Sequence, residues 1–499
     1  MKRRDFLTAS ASGVAVAASS SVFSAGASAA DQPASGKPKT NPASILIKNG
    51  LIVPMDGKSR TLKNQALLIQ ENRIAAIGDA DALQKEHKVE RVIDATGKVV
   101  MPGFVNGHVH TGETPNRGLA EDLTPVEYGE FALPLEEEIL SEQDINVFAQ
   151  VGSIEQLKFG NTCVMELGLA SQEATAQAFH RTGIRGIIAP DVSDIMESTE
   201  AMTGNGKPDP ALKKKRFAEA RRLLEKWQHN DDTIVSVRLA HYMPVLASYE
   251  TMMESKALAR EYGVGLNAHA GFGEGEAFKQ RYNKTQMQYL ADIGYLDENT
   301  AIVHLLMMEE AELAPFRDSG AWMIHCPFEM AKRGGSAPMN MIYEAGLNVA
   351  IGSDWLMFDP FEQMRYAAVL ARLDRGGIGP QKAYEFLEMM TIKGARAVGK
   401  GEEIGSLEVG KKADIILVDF AQAHLAPMNH HYDVVNSLVY NVHGSDVHTV
   451  IVDGRIVVED REIITVDEAS ILAEANKRAE VALTKRFNMP DGERFRPNS

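Results

Sequence analysis

Short apolar runs recur along the middle of the chain, and several of them end in a histidine or an aspartate. The runs stand at 101–110, 264–269, 300–304, 321–325 and 348–354. Runs of this length, spaced so that one or more strand and helix units fit between them, predict parallel strands alternating with helices. The residues near their ends are His108, His110, His269, His304, His325 and Asp354. In a barrel of such units, catalytic groups gather at the downstream ends of the strands.

His108 and His110 stand two positions apart at the end of the first run, beside Gly107. On a strand, positions i and i+2 face the same side, so both imidazoles would point together into whatever the strand encloses. Two convergent imidazoles are half of a metal site. An isolated pair could equally be two polar residues at a strand end. The other strand-end residues favour the metal site.

Two β-rich segments, 43–100 and 403–463, flank this region. We expect them to pack on each other as one small discontinuous β-sandwich domain beside an α/β fold, a (β/α)8 TIM-type barrel over 101–402. A C-terminal helix and tail would follow at 464–499. The helix is predicted over 467–487, with Asp467 placed to cap it.

The N-terminus has the pattern of an export leader. Arg3 and Arg4 precede a small, weakly apolar region that ends in the small residues 27–29. This pattern predicts a twin-arginine-type signal peptide at 1–29, a linker at 30–42 and a periplasmic location. A plain secretory signal is the alternative.

Composition narrows the class of protein. The formal net charge of −16 disfavours nucleic-acid binding, and no stretch after the leader is apolar for long enough to span a membrane. Neither Cys163 nor Cys326 belongs to a paired cysteine spacing, which disfavours a zinc–thiolate site. We expect a small-molecule substrate and a homo-oligomer.

Four motifs carry a family resemblance: 102–110, 324–327, 346–354 and 405–419. Over roughly residues 43–463 the chain resembles the amidohydrolase superfamily, within it the branch of metal-dependent deaminases and triazine-type hydrolases. The resemblance implies one divalent metal ion, foremost Zn²⁺, with Fe²⁺, Co²⁺ and Mn²⁺ as alternatives. The implied ligands are His108, His110, His269 and Asp354. His304 would polarise the substrate or join the ligands.

Such a metal ion would lower the pKa of a bound water towards neutrality. Asp354 would take the proton of that water, and His304 would stabilise the atom on which charge builds. Deaminase-like members of the family carry a proton-shuttling glutamate three residues after the histidine on strand five, where this chain has Phe272. Glu274 and Glu276 follow in a glycine-rich loop, and either could take that role.

The loops after the strands are rich in apolar and aromatic residues, which suits a bulky apolar substrate or simply caps the barrel core. The candidate substrate contacts are His325, Trp355, Phe328, Tyr242 and Phe272. With Phe272 in the shuttle position, the sequence favours an exported amidohydrolase that cleaves an amide, urea or carbamate. A deaminase or dechlorinase of an amino- or chloro-substituted heterocycle is the alternative, and an inactive periplasmic binder is the second alternative.

Overall fold

The computed structural model describes residues 43–168, 171–429 and 431–496. The predicted signal peptide at 1–29 and linker at 30–42 lie outside the described residues. The first described segment is β-rich, as predicted. Its elements are β1 (Ser44–Lys48), β2 (Leu51–Ile52), β3 (Ala66–Gln70), β4 (Arg73–Gly78), α1 (Ala80–Glu86), β5 (Arg91–Asp94) and β6 (Lys98–Pro102).

A closed parallel barrel follows. Its strands are β7 (Phe104–Val109), β8 (Asn161–Gly168), β9 (Arg185–Pro190), β10 (Ser236–Val237), β11 (Leu239–His241), β12 (Leu266–Ala270), β13 (Thr300–His304), β14 (Trp322–His325) and β15 (Asn348–Ile351). β10 and β11 are one strand interrupted at Arg238, so eight strands form the wall. Parallel bridges from Asp191 to Ala240 and from Val109 to Asp354 join the two halves. The predicted (β/α)8 barrel is confirmed.

Helices connect the barrel strands and surround them. They are α2 (Pro125–Pro134), α3 (Glu142–Lys158), α4 (Gln172–Thr182), α5 (Thr199–Met202), α6 (Pro210–Trp227), α7 (Tyr249–Tyr262), α8 (Gly275–Tyr282), α9 (Gln286–Asp292), α10 (Glu310–Ser319), α11 (Pro327–Lys332), α12 (Met339–Glu344), α13 (Pro360–Arg375), α14 (Ala383–Met389) and α15 (Ile392–Ala397). α6 shows why they form. Asp209 caps its first turn, and Phe217, Leu224 and Trp227 are buried on one face.

The chain then returns to the sheets where it began. The last elements are β16 (Ile415–Asp419), α16 (Val434–Tyr440), β17 (Val447–Val452), β18 (Arg455–Glu459), β19 (Glu462–Ile463) and α17 (Glu468–Phe487). One sheet has the order β4-β3-β1-β5 and the other β19-β18-β17-β16-β6-β2. Antiparallel pairing of β6 with β16 therefore places strands from both ends of the chain in one sheet. Asp467 caps α17, as predicted.

Hydrogen-bonded ion pairs at the start of β9 join the C-terminal β-rich segment to the barrel. The buried Arg185 guanidinium donates to both oxygens of Asp414, each at 2.9 Å, and to Asp453 at 3.1 Å. Bidentate contacts of this kind fix geometry as well as charge. Among the described residues, we find no helix that combines the length and the apolar character needed to cross a membrane.

Candidate metal centre

Four histidines and one aspartate meet at the downstream ends of the barrel strands. The Nε2 atoms of His108 and His269 lie 3.1 Å apart. Asp354 Oδ1 lies 3.5 Å from His108 Nε2 and 3.3 Å from His110 Nε2. Asp354 Oδ2 lies 3.7 Å from His304 Nε2. The structure thus brings together the five residues that the resemblance implied as ligands and as the polarising histidine.

The hydrogen bonds around the cluster fit a bound cation. The Nδ1 of His269 lies 2.8 Å from the carbonyl oxygen of Tyr242, so its proton is placed there and Nε2 keeps its lone pair. The buried Asp354 Oδ1 has no hydrogen-bond partner among the described residues. Buried polar atoms are ordinarily paired. Convergent imidazole nitrogens and a carboxylate oxygen form a donor set that suits Zn²⁺ and related divalent ions.

Burial keeps most of these imidazoles neutral. It lowers the pKa of His108, lowers that of His269 well below its usual value, and lowers that of His304 to about 3. A neutral imidazole is the form that binds a metal. Burial raises the pKa of the Asp354 carboxyl, but the neighbouring His108 and His110 imidazoles outweigh burial and hold this pKa well below its usual range.

His110 differs because a second carboxylate lies behind it. Burial lowers its pKa, but Glu113 and then Asp354 raise it to about 9. The Nδ1 of His110 lies 3.6 Å from Glu113 Oε1. Tyr128 donates to the other oxygen of Glu113. Sequence reasoning missed both Glu113 and Tyr128, although Glu113 stands only three residues after His110.

The backbone is strained at two of these positions. His304 has φ of +79° and Asp354 has φ of +61°. Non-glycine residues in the left-handed region cost about 1–3 kcal/mol each and persist where the surroundings impose them. His304 is the last residue of β13, and Asp354 follows the end of β15 by three residues, so both turns lie at the downstream rim of the barrel.

Cys326 also reaches the cluster. Its Sγ lies within 4.8 Å of ligand atoms of His304 and Asp354. Burial, with a contribution from Asp354, raises the pKa of its thiol well above the usual value.

The structure does not support a shuttle role for Glu274 or Glu276. The two carboxylate oxygens of Glu274 accept the backbone N–H groups of Gly271 and Phe272 at 2.7 and 2.9 Å, so this side chain stabilises its own loop. Glu276 lies exposed in the first turn of α8. Neither carboxylate belongs to the group of ligand atoms gathered in the described part of the chain.

Four of the five candidate substrate contacts lie at the cluster. Phe272 packs edge-on against His304 with ring centroids 4.6 Å apart, and Tyr242 lies 5.1 Å from His269. Trp355 lies 6.0 Å from His110. His325 is buried close enough to contribute to the lowered pKa of His304.

Phe328 packs edge-on against Tyr366 of α13, with ring centroids 4.9 Å apart, where α11 contacts α13. Its role as a substrate contact stays a prediction. Many of the apolar loop residues are buried as caps of the core, including Val245, Leu305 and Met330. Met307, by contrast, has 64% of its surface exposed.

Comparison with known proteins places this geometry in a family. The profile of the amidohydrolase family matches residues 99–457. The chain is 32% identical over 453 residues to a 5'-deoxyadenosine deaminase of Methanosarcina mazei, covering 89% of this chain and all of the relative. It is 30% identical over 443 residues to a 5-methylthioadenosine/S-adenosylhomocysteine deaminase of Thermoanaerobacter pseudethanolicus, covering 87% and 98%.

Solved structures agree on the fold. An adenosine deaminase from Xanthomonas campestris with bound zinc superposes with a TM-score of 0.80 at 25% identity, covering 88% of this chain and 98% of that one. Atrazine chlorohydrolase from Arthrobacter aurescens TC1, complexed with zinc, has a TM-score of 0.76 at 22% identity, covering 87% and 100%. The zinc-bound neighbour and the buried His/Asp cluster support a metal ion in this site.

One prediction is overturned by these relatives. The relatives are a 5'-deoxyadenosine deaminase and a 5-methylthioadenosine/S-adenosylhomocysteine deaminase, and this finding contradicts the predicted periplasmic location. The leader pattern on which it rested lies outside the described residues. The predicted homo-oligomer stays a prediction.

The predicted enzyme class, a hydrolase of C–N bonds other than peptide bonds, is confirmed. The barrel, the cluster at its downstream rim and the match over residues 99–457 lead to one assignment. This chain belongs to the amidohydrolase family.

Proposed function

We propose that this protein is a zinc-dependent deaminase of an adenosine-like nucleoside. The observation that carries the proposal is the similarity to nucleoside deaminases along almost their whole length, which includes the strands that end in the buried cluster. It favours the heterocycle alternative over the acyl C–N cleavage that the sequence led us to prefer. The inactive binder is disfavoured because this one chain carries all the implied metal ligands.

His108, His110, His269 and Asp354 would hold the ion. Zn²⁺ bound there would supply an activated water at neutral pH. The water oxygen would form a bond to C6 of the purine ring, and the bond from C6 to the amino nitrogen would break to release ammonia. Asp354 would accept one proton of the water at its carboxylate and pass it to the leaving amine, and the second water proton would move to the ring nitrogen beside C6. His304 holds a proton at Nε2 beside the reacting ring.

Phe272 favours a second candidate function, hydrolysis of an amide, urea or carbamate. A heterocycle needs protons both on a ring nitrogen and on the departing amine, whereas an acyl C–N bond needs only the latter. Phe272 places an aromatic ring against His304 where a shuttle carboxylate would stand. An aryl group on the substrate would pack against this ring.

A substrate panel tests both candidates. Zinc-loaded protein is incubated with 5'-deoxyadenosine, 5'-methylthioadenosine and adenosine on one side, and with aryl amides, phenylureas and carbamates on the other. The absorbance change of the purine and the release of ammonia report deamination, and free arylamine reports acyl cleavage. The His108→Ala variant controls for contaminating activity. Arylamine release without ammonia would replace the first candidate by the second.

A further inference from the structure

Arg486, near the end of the C-terminal helix α17, is a fully buried cation far along the chain from the barrel strands. Its side chain is 0% exposed. Nε donates to the Phe131 carbonyl at 2.9 Å and Nη2 donates to the Glu130 carbonyl at 2.7 Å. Asp491 accepts from both terminal nitrogens, at 3.1 and 2.9 Å. The guanidinium also lies over the Phe131 ring, 5.6 Å from its centroid.

Pro134 removes a backbone donor near the end of α2, and the Arg486 guanidinium donates in its place. In an α-helix the carbonyl of residue 130 accepts from the N–H of residue 134, but proline has no N–H to donate. The N–H of the following residue, Leu135, donates to Ala132. The carbonyls of Glu130 and Phe131 therefore lose the donors that lie four residues ahead in a regular helix, and Arg486 donates to both. Buried carbonyls without donors would be costly.

α2 in turn places Tyr128 beside residues of the proposed active site. The Tyr128 ring stacks on Trp355 with centroids 3.9 Å apart and an interplanar angle of 24°. Trp355 directly follows Asp354 in the chain. The hydroxyl of Tyr128 donates to Glu113, whose other oxygen faces His110. A displacement of α2 would thus move Tyr128 relative to both Trp355 and Glu113.

We propose that Arg486 is a positioning residue of the active site. By replacing the donors that Pro134 removes, it holds the end of α2 in place, and α2 keeps Tyr128 stacked on Trp355 at the rim of the substrate pocket. Arg486 touches neither the substrate nor the metal ligands. The inference rests on the proposed function in one respect: a KM can be measured only with a substrate that the enzyme converts.

The test compares Arg486→Met with Arg494→Met in the full-length zinc protein. Arg494 pairs with the carboxylate of Glu130 at 2.7 Å, but both side chains are about half exposed, so this pair is a matched control. We expect Arg486→Met to raise KM about tenfold with kcat nearly unchanged, since binding geometry rather than chemistry is lost. Zinc content stays at the wild-type level. Acrylamide quenching of tryptophan fluorescence increases because Tyr128 no longer covers Trp355.

A second variant separates positioning from bulk stability. Pro134→Ala restores an N–H that can donate to the Glu130 carbonyl, so the double variant Arg486→Met/Pro134→Ala recovers part of the KM and of the quenching protection. If Arg486→Met does not fold, Arg486→Lys replaces it in the test. Lysine keeps the charge but cannot reach both carbonyls and Asp491 together, so we expect a KM between the wild-type value and the tenfold increase expected for methionine.

Unchanged KM and quenching in the Arg486 variants, or a double variant no better than the single one, would overturn the proposal. An inactive wild-type protein on nucleosides would instead refute the proposed function. The quenching and rescue measurements would still test Arg486 in that case.

Discussion

The Nε2 atoms of His108 and His269 face each other at 3.1 Å, although 161 positions of the chain separate them. The Nδ1 of His269 is engaged by the Tyr242 carbonyl, so its Nε2 presents a lone pair. The Nδ1 of His108 has no hydrogen-bond partner among the described residues. A cation shared by these two imidazole nitrogens would stabilise both, and this geometry therefore supports a metal ion at the cluster.

Removing His108 should remove the metal. His108→Ala deletes one of few ligands in an open site, and we expect loss of zinc and of turnover. His304→Ala should retain more zinc while losing turnover, because the proposed role of His304 is to act on the substrate. Zinc measured by inductively coupled plasma mass spectrometry, together with turnover, checks both. Full zinc loading and full activity in His108→Ala would refute the ligand assignment.

Gly352 should tolerate no side chain. A Cβ at this position would lie 2.8 Å from the backbone nitrogen of His108 and 2.9 Å from its Cβ. Gly352→Ala must therefore push β7 and β15 apart, so we expect weaker zinc binding and lower thermal stability. Gly78→Ala is the control, because no described atom lies within 4 Å of its Cβ position. Equal zinc affinity in the two variants would contradict the expected clash.

Phe272→Glu should increase deamination. The substitution puts a carboxylate beside His304, where the family's shuttle glutamate stands, and a general acid–base group contributes about 10²–10⁴-fold. We expect the rate of ammonia release from adenosine-like nucleosides to rise, with Phe272→Gln as the uncharged control of the same shape. A rate no higher than that of Phe272→Gln would show that position 272 does not govern proton transfer.

Glu173→Gln should destabilise the protein at neutral pH and not in acid. Burial raises the pKa of the Glu173 carboxyl, but hydrogen bonds from Lys226, Gln177 and Trp227 outweigh it and lower the pKa to about 2. A lowered folded-state pKa stabilises the protein above the unfolded value and loses this effect as the pH falls towards 2.

The expected loss for Glu173→Gln at pH 7 is about 1–2 kcal/mol after allowance for solvent screening. Urea unfolding of the variant and the wild type at several pH values between 7 and 2 measures it. Glu219→Gln, in an exposed pair with Arg222, is the control. A difference between Glu173→Gln and the wild type that is independent of pH would contradict the charge argument.

The sequence by itself determined the barrel and the meeting of His108, His110, His269, His304 and Asp354. The physical reason is local. An apolar run specifies a strand, and parallel strands of a barrel end on the same rim, so residues that close such runs meet there whatever lies between them. The sequence also predicted that the two β-rich ends pack on each other, whereas the antiparallel pairing of β6 with β16 is seen only in the structure.

Only the tertiary structure decided what surrounds the cluster. No local sequence pattern shows that Glu274 accepts the amides of its own turn, or that the Phe328 ring packs against Tyr366 of α13. The contact of Arg486 with α2 joins positions more than 350 residues apart. It depends on a donor that Pro134 lacks and on the packing of the C-terminal helix. Such contacts arise between distant segments that fit in space, and no periodicity in the chain records them.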